Sequence, residues 1–196
     1  MFAHNLMKDP MFLAGRRAFL GRSGIVLTGT TIALLTGREG LAAQMKKSPT
    51  ESVANDVKIL NGALGAEYQG IAAYQLGADS GLLQKPVLEV ALQFQAQHKA
   101  HADLLVATVK QLGGTPVTPK QKYDFPIDQL KSQADVLRFA AGLEQGAVSA
   151  YLGAVPAFEN RELARAAASI LGDEAMHWAV LRQTLGENPV PAAFVG

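Results

Sequence analysis

Six side chains stand out by type and spacing: Glu67, His98, His101, Glu144, Glu174 and His177. Each interrupts an otherwise apolar stripe of helical periodicity. His98/His101 and Glu174/His177 are i, i+3 pairs, so the two members of each pair share a helix face and can chelate a common centre. A carboxylate buried without a partner costs several kcal/mol, and a divalent cation supplies the missing charge. Carboxylate oxygens combined with imidazole nitrogens suit iron or manganese, as one or two ions, and zinc is also compatible with the donors. The chain has no cysteine, which excludes a thiolate nucleophile, a disulfide framework, Cys-ligated zinc and an iron–sulfur cluster. The six are metal-ligand candidates, and the sequence assigns no catalytic residue.

Four amphipathic helices are needed to carry the six residues. The first is expected from Thr50, an N-cap after Pro49, to about Ala78, with Leu60, Leu64, Glu67, Ile71 and Tyr74 on its stripe. The second is expected from Pro86 to Gly113-Gly114, carrying Phe94, His98, His101 and Leu105. The third follows Ser132 and ends near Pro156, with Leu137, Glu144, Val148 and Tyr151. The fourth follows Asn160 and closes at Gly186, with Ile170, Glu174, His177 and Leu181. The 32 alanines agree with this helical bias. The joins after the first and third helices are short and predict antiparallel hairpins. Residues 113–131, Pro-rich and containing Tyr123 and Phe125, are long enough to run the length of a bundle.

The two halves repeat. Gly65-Ala66-Glu67 and Gly142-Leu143-Glu144 are each followed seven residues after the glutamate by a tyrosine, Tyr74 and Tyr151. Glu67 precedes His101 by 34 residues and Glu144 precedes His177 by 33, which suggests a duplicated hairpin about a pseudo-twofold axis. The tyrosines, two helical turns from their own glutamates, read as core residues or as hydrogen-bond donors behind the ligands rather than as redox groups. Trp178 follows His177 and points off the stripe, as a packing or interface residue. Lines of small residues (Ala63, Ala66, Gly70, Ala73 and Gly77 on the first helix, Gly142, Gly146, Ser149 and Gly153 on the third) are expected to allow close helix approach, within the bundle or across a homodimer.

With Asp173-Glu174-Ala-Met-His177 as a Glu-x-x-His motif and a glutamate on each of the first and third helices, the chain resembles the ferritin-like superfamily. More narrowly, it resembles exported bacterial ferritin-like domain proteins related to plant desiccation-related proteins. The resemblance spans about residues 52–186. It implies an all-α, ferritin-like four-helix bundle with a long crossover between helices 2 and 3. It also implies a metal centre built from Glu67, His101, Glu144, Glu174 and His177. The chain departs from the pattern at His98, which stands where the bridging glutamate is usual, leaving three carboxylates where two divalent ions usually draw on four.

Residues 1–43 are a different kind of sequence. They carry five basic and two acidic residues, the 13-residue apolar run Gly24 to Thr36, and the small segment Gly40-Leu-Ala-Ala43. That is the layout of an export signal. Arg16-Arg17-Ala18-Phe19-Leu20 resembles the twin-arginine motif, with Gly15 where Ser or Thr is common, and implies folded export to the periplasm. Cleavage is expected near Ala42 or Ala43; the alternative is an uncleaved N-terminal anchor, although the run is short of the roughly 20 residues of a span. The domain plan is a signal at 1–43, a linker at 44–51, a bundle at 52–186 with its crossover at 113–131, and a Pro-rich tail at 187–196.

The formal charge of +1 averages a basic leader with a mildly acidic remainder and leaves no basic stripe for nucleic acid. Two functions fit these observations. One is an exported metal-binding protein with redox chemistry such as ferrous oxidation or peroxide handling. The other is a non-enzymatic, stress-related or scaffolding bundle with a vestigial or structural metal site.

Overall fold

The structure, a computed structural model, describes residues 49–195. The export signal and all but the last three residues of the linker lie outside the described residues.

Among the described residues four helices form an all-α bundle: α1 (Pro49–Asp79), α2 (Lys85–Gln111), α3 (Gln133–Ala154) and α4 (Arg161–Thr184). Their ends follow local chemistry. Helix α1 starts at Pro49, slightly ahead of the expected Thr50 cap, because proline's fixed φ and missing N–H suit a first helical turn. Ser132 caps α3 by accepting from the Asp135 N–H, and Asn160 caps α4 by accepting from the Glu162 N–H. Gly113 and Gly186 sit just past α2 and α4 with φ of +78° and +75°, the left-handed turn that ends a helix at least cost for glycine.

Short turns make α1/α2 and α3/α4 antiparallel hairpins. The intervening segment runs the length of the bundle, with one 3-10 turn at Ile127–Gln129. Its start is pinned to α1: the Asn61 amide donates to the Thr115 carbonyl and accepts from the Val117 N–H. A Cβ at Gly114 would lie 2.6 Å from a Val57 methyl, so only glycine passes there without the Val57 side chain shifting. Asp56, buried on α1, accepts the Glu159 and Asn160 N–H groups and ties the start of α4 to the same end of the bundle. Among the described residues no helix is long and apolar enough to cross a membrane.

The core is divided. At one end Tyr74, Phe94, Leu137 and Leu181 pack together, with Trp178 partly buried against them and Arg182 over its ring. At the other end Leu60, Leu64, Leu105 and Val109 form one cluster, and Tyr151, Ala167 and Ile170 another. A belt of buried polar side chains lies between.

The two small-residue lines behave differently from each other. Gly70 does allow close approach, because a Cβ there would lie 3.2 Å from the His98 ring. On α3, a Cβ at Gly142, Gly146 or Gly153 would meet nothing within 4 Å. Those glycines leave open space, and a cavity of about 220 Å³ lies between α1 and α3, lined by Gly70, Gly142 and Gly146 and reaching Glu67, His98 and Glu144.

Candidate metal centre

All six sequence-selected residues converge in the belt. Glu67 comes from α1, His98 and His101 from α2, Glu144 from α3, and Glu174 and His177 from α4. Five are almost wholly removed from solvent: Glu174 is 0% exposed, Glu144 and His177 1%, Glu67 2% and His98 3%. His101 is half-buried at the rim.

Their donor atoms fall into two groups. In the first, His98 Nδ1 lies 2.8 Å from Glu67 Oε2 and 3.6 Å from Glu174 Oε1, while His101 Nδ1 lies 3.5 Å and 3.1 Å from the same two oxygens. In the second, Glu144 Oε1 lies 3.3 Å from His98 Nε2 and 3.4 Å from His177 Nδ1, which is 3.5 Å from Glu174 Oε2. An ion with ligand bonds of about 2.0–2.2 Å spaces its donors about 3.0–3.5 Å apart, the range of most of these separations. His101 Nδ1, His177 Nδ1 and both Glu174 oxygens are buried without a hydrogen bond, although each has an oppositely polar neighbour close by. Their unmet bonding capacity lies inside the two donor groups, where an ion would meet it. The donor set therefore fits divalent metal, with Glu67, His98, His101 and Glu174 around one centre and His98, Glu144, Glu174 and His177 around the other.

Further residues, not identified as contributors from the sequence, orient these donors. His177 Nε2–H donates to Gln97 Oε1 at 2.9 Å, and His101 Nε2 pairs with Asp173 Oδ2 at 3.2 Å; both leave Nδ1 free to face the cluster. Phe94 stacks on the His177 ring at 4.1 Å. Gln97 and Asp173 each sit one residue before a ligand, and that adjacency is the only sequence signal they carry. The tyrosines do donate to ligands, but across the repeat: Tyr74 to Glu144 and Tyr151 to Glu67.

The electrostatics follow from this crowding. Burial alone would pull the histidines towards neutrality, but the surrounding carboxylates win, raising His98 to about 10 and His101 and His177 to about 9. Burial would likewise raise Glu67 and Glu144, yet the close imidazoles, with His98 hydrogen-bonded to each, hold both below the usual carboxylate range. Burial, then the adjacent glutamate charge, pushes both tyrosine hydroxyls well above their ordinary value, so they remain donors.

The fold and the belt together define an antiparallel four-helix bundle with a carboxylate–imidazole centre at its middle. The chain belongs to the ferritin-like domain family, whose model matches residues 55–187. Among solved structures it is similar to a conserved hypothetical protein from Mycobacterium tuberculosis, at 25% identity over 73% of this chain and 99% of that one, with a TM-score of 0.64. It shares its fold with ferritin-like, diiron-carboxylate proteins from Bacillus anthracis (23% identity, 71% and 99% of the chains, TM-score 0.60). A third is the bacterioferritin of Desulfovibrio desulfuricans, with a diiron site (18% identity, 71% and 83%, TM-score 0.65). No curated protein matches the chain.

Proposed function

We propose that this protein binds iron at Glu67, His98, His101, Glu144, Glu174 and His177 and uses it for redox chemistry, ferrous oxidation or peroxide consumption. The observation that carries the reading is Glu174, wholly buried with neither oxygen hydrogen-bonded. An ionised carboxylate in that setting costs several kcal/mol unless positive charge completes it: the protonated His101 and His177 beside it in the metal-free protein, and a metal ion that displaces their protons when bound. The diiron sites named for two proteins of the same fold favour iron.

Bound iron supplies one-electron redox chemistry against dioxygen or peroxide. The chain supplies the rest. Glu67 and Glu144 keep their charge because the tyrosines and histidines hold the ionised form. Gln97 and Asp173 fix the His177 and His101 rings with Nδ1 inward. Apolar clusters on both sides exclude bulk water, and the cavity between α1 and α3 admits a small molecule to the Glu67/His98/Glu144 side.

Export to the periplasm by the twin-arginine route belongs to the same reading. Its support is Arg16-Arg17-Ala18-Phe19-Leu20 and the apolar run that follows; folded export lets the metal be loaded first. A stress role belongs to the alternative, non-enzymatic reading, whose support is the sequence resemblance to desiccation-related proteins.

Metal analysis of the natively produced protein beside a Glu174→Ala/His177→Ala variant tests the reading. Iron should be present in the first and lost from the second. Stoichiometric iron in the double variant would sink the assignment.

A further inference from the structure

His101 and His177 each turn one ring nitrogen inward and tie the other to an outer side chain, Asp173 or Gln97. His98 does neither. Its Nδ1 faces Glu67 at 2.8 Å in the first donor group, and its Nε2 faces Glu144 at 3.3 Å in the second. Gly70 makes room for the ring in this pose, since a Cβ would come within 3.2–3.3 Å of Nδ1, Cε1 and Nε2 together. The two donor groups share two residues, and Glu174 also divides its oxygens, Oε1 to the first and Oε2 to the second.

We propose that His98 bridges two metal ions as an imidazolate, with Nδ1 on one ion and Nε2 on the other. The inference rests on the metal reading and deepens it. Charge supports it. Two divalent ions bring four positive charges, and Glu67, Glu144 and Glu174 return three. An imidazolate supplies the fourth, which a glutamate at this position would otherwise have carried.

The chemistry balances without a co-reactant. When the first ion binds, the N–H bond at one ring nitrogen breaks and its proton goes to solvent. Binding of the second ion breaks the remaining N–H bond, releases that proton to solvent and forms the second metal–nitrogen bond. No electron moves. The ring then holds the ions at its two ends, further apart than the about 3.5–4 Å of two-metal sites with compact bridges.

The test uses the full chain with ¹⁵N-labelled histidine and zinc(II) as a diamagnetic probe. Native mass spectrometry should count two zinc ions. At that stoichiometry the long-range ¹H–¹⁵N spectrum should contain one ring with both nitrogens metal-bound and no N–H, two further rings that keep an Nε2–H, and the fourth ring, His4 of the leader, without zinc. His98→Gln, which cannot bridge, should reduce the count from two to one; His98→Glu, which restores the fourth carboxylate, should keep two. Saturation at one zinc, or two zincs with an N–H on every ring, overturns the bridge and leaves the metal reading standing. No zinc bound at all overturns both. The wild-type spectrum decides the matter even if a variant fails to fold.

Discussion

The Tyr74 hydroxyl of α1 donates to the Glu144 carboxylate of α3, 70 residues away, rather than serving the glutamate of its own helix. Tyr151 of α3 returns the contact to Glu67 of α1. The repeat thus interlocks: each half supplies the donor that holds the other half's ligand, and the two bonds clasp α1 to α3 where small residues otherwise leave them apart.

Removing the Tyr151 hydroxyl strands the buried Glu67 Oε1, while removing the Tyr74 hydroxyl leaves Glu144 Oε1 with only the longer hydrogen bond to His98 Nε2. Tyr74→Phe and Tyr151→Phe should each destabilise the metal-free protein by about 1–3 kcal/mol. Urea unfolding of the single and double variants checks this, and equal losses from the two singles would show the symmetry to be energetic as well as geometric.

Glycines of similar appearance should respond oppositely. Gly70→Ala presses on the His98 ring and should weaken metal binding at least tenfold while leaving the helix intact. Gly142→Ala meets nothing within 4 Å and should stabilise the fold by about 0.5–1 kcal/mol. Zinc titration and thermal melts of the two variants separate the effects.

The pH dependence of the metal-free protein has a definite sign. His98, His101 and His177 are raised from an ordinary 6.5 to about 10, 9 and 9, so the folded state holds more protons than the unfolded chain between those limits. Their stabilisation is complete below pH 6.5 and is lost as the pH climbs through 9 to 10. Melting temperature should fall across that window. Metal affinity should rise over the same range, since binding displaces those protons. Melts and zinc titrations at pH 6.5, 8 and 9.5 test both slopes.

Asp56 has no part in the metal centre, yet it is buried at 3% exposure and accepts two backbone N–H groups at the entry to α4. Asp56→Ala should cost about 1.5–3 kcal/mol and leave zinc stoichiometry unchanged. A loss of metal at unchanged stability would contradict the assignment of a purely structural role.

Much of the molecule is legible in the residue order. Ser132 and Asn160, Pro86, Gly113 and Gly186 mark helix ends through local backbone chemistry that needs no distant partner. Helical periodicity places all six polar residues on inward stripes, since a side chain's face depends only on its position along its own helix. The all-α bundle and the long crossover follow from those stripes and the connection lengths.

What periodicity cannot carry is the register of one helix against another and the rotamer of each ligand, which long-range packing sets. Only the tertiary structure pairs Tyr74 with Glu144, and only it turns the small residues of α3 into a cleft instead of a tight contact. It also reveals Gln97 and Asp173, adjacent to ligands in sequence, as the partners that aim two imidazoles inward. Sequence places a histidine at position 98 in a glutamate's slot. The fold decides that both of its nitrogens face carboxylates, because Gly70 admits the ring from α1 while Glu67 and Glu144 reach it from separate helices.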